Sequence, residues 1–155
     1  MNTNNILWYH THMKYLGIDY GAKRIGLAIS DSGGQVATAY AILENDNTFL
    51  PLFAEIIEKE GVQSLVVGKS HDLQGNANTI QKHIDVFIEV CEKKFNIPVH
   101  AHWEAFSSMQ AKWGVTKSVR RVIKSNRIEM NTKSPRHIDA GAAVVVLQNF
   151  LDKQN

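Results

Sequence analysis

The stretch GIDYGAKRIGLAISD, residues 17–31, decides how the rest of the chain is read. Leu16 and Ile18 alternate with Gly17 and Asp19, the two-residue period of a β-strand. Gly21 to Lys23 is turn chemistry, and Ile25, Leu27 and Ile29 resume the alternation with Gly26 and Ala28 between them. The stretch is therefore strand, tight turn, strand. Asp19 is its odd member, because a carboxylate in an apolar strand is costly to bury unless a metal ion, a base or a water-filled cleft meets it. Asp19 is the first fixed point of a site.

The flanking sequence extends the pattern. Residues 15–20 and 25–30 are the first two strands, and Asp31-Ser32-Gly33-Gly34 is a second turn. Residues 35–43 form a third strand, which completes an antiparallel meander. Asn47 or Thr48 caps a helix whose apolar stripe is Phe49, Leu52, Phe53, Ile56 and Ile57, and Gly61 ends it. Residues 63–68 (QSLVVG) read as a short buried parallel strand. The polar loop KSHDLQGNAN follows, and then a long amphipathic helix marked by Ile80, Ile84, Phe87, Ile88, Cys91 and Phe95. PVHAHWE, residues 98–104, is the fifth strand, with Val99, Ala101 and Trp103 on one side and His100, His102 and Glu104 on the other. Ser107 to Trp113 is helical in pattern. The last helix starts with Ser134 as cap and Pro135 in first position, and Asp139 lies in its stripe with Ala142, Ala143, Val146, Leu147 and Phe150. The order β-β-β-α-β-α-β-α-α implies an α/β fold, a five-stranded mixed sheet with helices on both faces.

At 155 residues, one domain is the natural count, with chain enough for a core. Residues 13–155 are taken as that domain, and residues 1–12 as a flexible extension or a mis-chosen start. The apolar share is 44% and charged residues are 21%, ordinary for a globular protein. A net charge of +2 means that any nucleic-acid surface must come from local clustering. The single cysteine, Cys91, excludes an internal disulfide and reads as a small core residue. No apolar run approaches the ~20 residues of a membrane span, and the N-terminus has no secretory pattern, so a reduced, cytoplasmic location is expected.

Three carboxylates stand where a solvated surface does not account for them: Asp19 on the first strand, Glu104 at the end of the fifth, and Asp139 on the inner stripe of the last helix. Each has a plainer explanation alone. Asp19 could lie beside the turn, Glu104 could cap the next helix, and Asp139 could pair with Arg136. Together they suit converging oxygen ligands for Mg²⁺ or Mn²⁺, hard cations that leave room for a phosphate.

These motifs resemble one family. GIDYGAKRIGLAISD, LVVG, the strand end at Glu104 and HIDAGAAVVVLQNFLD are similar to the YqgF family of proposed pre-16S ribosomal RNA nucleases, also described as Holliday-junction-resolvase-like and of RNase H fold. The resemblance covers residues 13–152 and is most specific in its first motif. It puts the family's three acids on Asp19, Glu104 and Asp139. The family's Asp-Glu-Arg-x-Thr-Thr segment falls on Trp103 to Ser108, where Glu104 is kept, Trp103 replaces the first acid and Ala105 the arginine. The loop Leu-Pro-Leu-Asn-x-Asp-Gly falls on Lys69 to Gly75 and keeps only its framing glycines. What the resemblance implies is a Mg²⁺- or Mn²⁺-dependent endonuclease acting on the 5′ end of precursor 16S rRNA, with RNA or the pre-ribosome as partner, branched DNA as another possible substrate, no membrane, and a monomer or weak homodimer.

The basic segment 117–136 carries seven bases against one acid and fits a phosphate-tracking surface through Arg120, Arg121, Lys124 and Arg127. A solvated loop explains the same charge. Lys23 and Arg24, close to Asp19 in sequence, either meet the scissile phosphate or face water. His100, His102 and Glu104 alternate on one strand face, a weak zinc signal with no further nitrogen or sulfur ligand placed by spacing. His102 or His71 is a candidate proton-transfer group. Trp103 and Trp113 could stack bases, although the apolar strand face of Trp103 favours core packing. Two other functions compete: an ATP-binding protein, since Asp-x-Gly also opens the phosphate loop of the actin and sugar-kinase superfamily, and a nuclease fold that binds RNA or protein without cleaving.

Overall fold

The computed structural model describes residues 13–70, 79–104 and 136–154. Strands β1 (Tyr15–Tyr20), β2 (Arg24–Ser30), β3 (Ala37–Glu44), β4 (Ser64–Ser70) and β5 (Val99–Glu104) alternate with helices α1 (Phe49–Glu60), α2 (Thr79–Phe95) and α3 (Arg136–Gln154). The sheet order is β3-β2-β1-β4-β5. β1 is central, antiparallel to β2 and parallel to β4, and β5 is parallel to β4. This is the five-stranded mixed sheet that the strand pattern implies. The helix read over Ser107–Trp113, the cap at Ser134 and Pro135, and residues 1–12 lie outside the described residues.

Alternation along the strands divides the core in two. Leu16, Ile18, Ile25, Leu27, Leu65 and Val67 meet α1 and α2 through Phe49, Phe53, Ile84, Phe87 and Cys91. Burial pushes the Cys91 thiol up to about 12, with the Glu92 charge adding to it, so the side chain acts as a small apolar group. On the opposite face Ala28, Ala37 and Val66 meet α3 through Ala143, Val144, Val146, Leu147, Phe150 and Leu151. That apolar arc is wider than the expected stripe, which omitted Val144 and Leu151. It also holds Gln148, which accepts from the Ala37 amide at 2.9 Å and donates to the Gln35 carbonyl at 2.9 Å. One polar side chain thus ties α3 to the start of edge strand β3.

α3 lies close on the sheet because two strand positions beneath it carry no side chain. A Cβ on Gly17 would sit 2.6 Å from Leu147 Cβ and 3.2 Å from the Ala143 carbonyl oxygen. A Cβ on Gly68 would sit 2.8 Å from Val146 Cγ2. Both distances are well inside carbon contact, so glycine sets the spacing of this layer.

Three local expectations are corrected. Thr48 occupies the N-cap position of α1 but makes no side-chain cap hydrogen bond. Asp46 instead accepts from the Thr48 amide at 2.8 Å and its hydroxyl at 2.6 Å. Lys69 and Ser70 belong to β4 rather than to a loop, because β5 continues the ladder opposite them. Trp103 is not a core residue: it is 49% exposed. Val99, at the start of β5, packs on the α1–α2 core, whereas Ala101 and Trp103 further along are exposed, so helical cover ends part-way up this edge strand.

Candidate active site

Asp19 occupies the central strand, half-buried, opposite Gly26 of β2. Alternation puts it on the same face as Gly17, under α3. Continuing the β1–β4 register one step brings Gly68 beside it. Val146 of α3 packs directly on Gly68, whose missing side chain lets the helix come close to the sheet at this level.

The path of α3 relates Asp19 to the last helix. Tyr15 touches Phe150, ring centroids 5.6 Å apart, and Gly17 lies beneath Leu147 and Ala143. Climbing β1 therefore means stepping back along α3. Two residues further up the strand, about 6.6 Å, is Asp19, and one turn before Ala143, about 6 Å, is position 139. Position 104 closes β5 opposite Ser70, on the register row that continues Val66–His100 and Gly68–His102. Two strand spacings of ~4.8 Å and a two-residue advance separate the backbone of positions 19 and 104 by about 12 Å. Of the three acids, only Asp19 has its side chain among the described residues, and among those no group of three or more His, Cys, Asp or Glu side chains is placed to hold a metal. As a donor set the acids offer oxygen only, which fits Mg²⁺ or Mn²⁺ and not the nitrogen and sulfur preference of zinc.

The other candidates separate. Arg24 opens β2 on the Asp19 face, with Nε 3.7 Å from Glu44 Oε1 across the strand pair. Lys23 is exposed in the turn, where its carbonyl accepts from the Asn45 amide at 2.9 Å and orders the rim beside the site. His102 is buried and meets Phe150 edge-on at 6.1 Å, and His100 stands 5.0 Å from the same ring. Burial lowers the His100 pKa. Arg120, Arg121, Lys124, Arg127, His71 and Trp113 lie outside the described residues. The role of Gly68, which admits Val146 of α3 close to the sheet beside Asp19, is not legible in the sequence, since only the tertiary approach of α3 reveals it.

The sequence signature of the family described as "RuvX: Holliday junction resolvase" matches residues 13–153. The chain belongs to the RuvX/YqgF family. Relatives in this family include a protein of Koribacter versatilis named "Putative pre-16S rRNA nuclease", 31% identical over 145 residues that make up 92% of this chain and 89% of that protein. One of the same name from Nitratidesulfovibrio vulgaris is 33% identical, over 90% of this chain and 94% of that protein. Among solved structures, the fowlpox virus resolvase bound to Holliday junction DNA matches with a TM-score of 0.63 at 14% identity, covering 92% of this chain and 99% of that one. Thermus thermophilus RuvC with its junction substrate matches at 0.59 and 16%, covering 92% of this chain and 96% of that one. The family likeness and these neighbours agree on an RNase H-like fold of the RuvC type. Among the described residues, no helix is long and apolar enough to cross a membrane.

Proposed function

We propose that this RuvX-family chain is a cytoplasmic, Mg²⁺- or Mn²⁺-dependent endonuclease that trims the 5′ end of precursor 16S rRNA, with Asp19, Glu104 and Asp139 as the ligand set. The observation that carries it is the position of Asp19: a half-buried carboxylate on the central strand, beside the glycine on which α3 packs closely, at the strand ends toward which the first turn of α3 runs. A crevice at the carboxyl ends of strands, where connections diverge, is where open α/β sheets bind ligands.

Asp19, Glu104 and Asp139 would hold a divalent cation there, which would supply charge neutralisation at the scissile phosphate and make water more acidic. The protein's own part is positional. In this reading strand positions 19 and 104 and helix position 139 carry the three acids, and Lys23 and Arg24 in and beside the β1–β2 turn meet phosphates flanking the cut. Arg24 exchanges its exposed Glu44 partner for a phosphate at little cost, since exposed ion pairs contribute about 0–1 kcal/mol. Arg120, Arg121, Lys124 and Arg127 extend the phosphate contacts and give affinity that falls with salt.

The family description favours a second substrate, a four-way DNA junction. One comparison separates the two. Wild type and Asp19→Asn are assayed with Mn²⁺ on a 5′-extended 16S precursor and on a four-way junction. RNA cleavage that disappears in the variant, with an unchanged melting temperature, supports the proposal. Cleavage confined to the junction favours the resolvase, and equal RNA cleavage by both proteins rejects Asp19 as a ligand.

A further inference from the structure

Trp103 departs furthest from what its strand pattern dictates. It stands on edge strand β5, one residue before Glu104, with half its surface in water. Its cross-strand partner is Lys69 of β4, whose ammonium lies 5.2 Å from the centroid of the indole ring. That ammonium is not loose. The Lys69 side chain is only 14% exposed and donates to Asp85 Oδ1 on α2, and Gln81 donates to the same oxygen at 3.2 Å. Lys69 holds the Asp85 carboxyl below its ordinary range. A helix-anchored cation over one aromatic face favours a defined ring orientation, because the ring quadrupole attracts the charge, and the other face is the one open to stacking. The result is a wide, oriented apolar plane kept in solvent at a cost of roughly 25 cal/mol per Å².

We propose that Trp103 is a stacking platform for an unpaired nucleobase of the substrate strand, adjacent to the phosphate held at the acid site. The proposal rests on the nuclease reading above. Successive residues of a strand belong to opposite sheet faces, so positions 103 and 104 straddle the β5 edge. A nucleic-acid strand at the acid site reaches the indole only by turning a base around that edge. An unpaired nucleotide can do so and a base pair inside a duplex cannot. Stacking accepts any base, since every base has a π-face. The Lys69 charge is committed to Asp85, so the platform adds affinity without adding a phosphate contact.

The test uses the full chain with Ca²⁺ in place of Mg²⁺ or Mn²⁺, a hard cation that takes the same oxygen ligands, and the oligonucleotide is checked to be intact after each titration. Replacing Trp8 and Trp113 by Phe leaves Trp103 as the one indole of three. Its fluorescence is expected to quench when a single-stranded oligoribonucleotide binds. Stacking contributes about 1–3 kcal/mol per base, so Trp103→Ala weakens single-strand binding about 5- to 150-fold. Trp103→Phe retains most of the affinity. Trp103→Leu, apolar but without a π-face, loses it at an unchanged melting temperature. Binding to a blunt duplex, and the slope of affinity against salt, stay as in wild type. Unquenched fluorescence, equal single-strand affinity in Trp103→Leu, or an equal loss on the duplex overturns the proposal. Cleavage that fails while this pattern holds removes the nuclease reading and leaves the platform standing.

Discussion

Adding a single methyl group at Gly17 tests how α3 is held over the central strand. The new Cβ would lie 2.6 Å from Leu147 Cβ and 3.2 Å from the Ala143 carbonyl oxygen. Carbon pairs prefer roughly 3.5–4.0 Å, so the helix must withdraw by about 1 Å. Neither obstacle is the end of a flexible side chain. Overpacking of this kind costs about 1–3 kcal/mol, and at about 2–4 °C per kcal/mol for a chain of this size the melting temperature of Gly17→Ala falls by about 2–12 °C. Asp139 rides on the same helix one turn away, and a 1 Å misplacement can reduce a catalysed rate about 10²-fold. Paired variants sharpen the test. Gly17→Ala with Leu147→Ala keeps the offending Cβ of residue 147 and is not rescued. Gly68→Ala strikes Val146 Cγ2 at 2.8 Å, and adding Val146→Ala removes that carbon and restores much of the stability. Thermal melts of the four variants read this directly. A Gly17→Ala protein as stable as wild type, or full rescue by Leu147→Ala, refutes the close approach of α3.

Two further outcomes follow from single side chains. Gln148→Ala leaves the buried Ala37 amide without its acceptor, which costs about 1–3 kcal/mol, so the melting temperature falls by several degrees, whereas an unchanged melt means that the bond to β3 carries no stability. His100 has its folded pKa lowered by burial, so between that value and the unfolded ~6.5 the unfolded chain binds more protons. Stability is therefore lost as pH falls from 7 through this window. His100→Gln shows a shallower decline in melting temperature between pH 7 and 5, and an identical slope in the two proteins excludes the effect.

The meander and its central acid are legible in the sequence because tight turns and two-residue alternation are local. Gly17 and Asp19 share a face by counting alone. Whether anything covers that face is a tertiary fact, and Trp103 shows the difference: alternation assigns it to the side of Val99, but helical cover stops before it. Lys69 and Ser70 resemble loop residues until β5 pairs with them. Gln148 looks like a break in an apolar helix and is instead its bond to the sheet. Glu104 and Asp139 stand out as carboxylates in unusual places, yet no local pattern relates them to Asp19. The proposal that the three share a site is supported by the register of β4 with β5, by the path of α3 and by the family resemblance.

Calorimetric titration of the full chain with Mn²⁺ tests the proposed shared oxygen site without reference to any substrate. Asp19→Asn, Glu104→Gln and Asp139→Asn are each expected to weaken binding by more than the roughly 10- to 100-fold that loss of an outer-shell partner costs, with the fold retained. Three folded variants that each bind Mn²⁺ as tightly as wild type would contradict it.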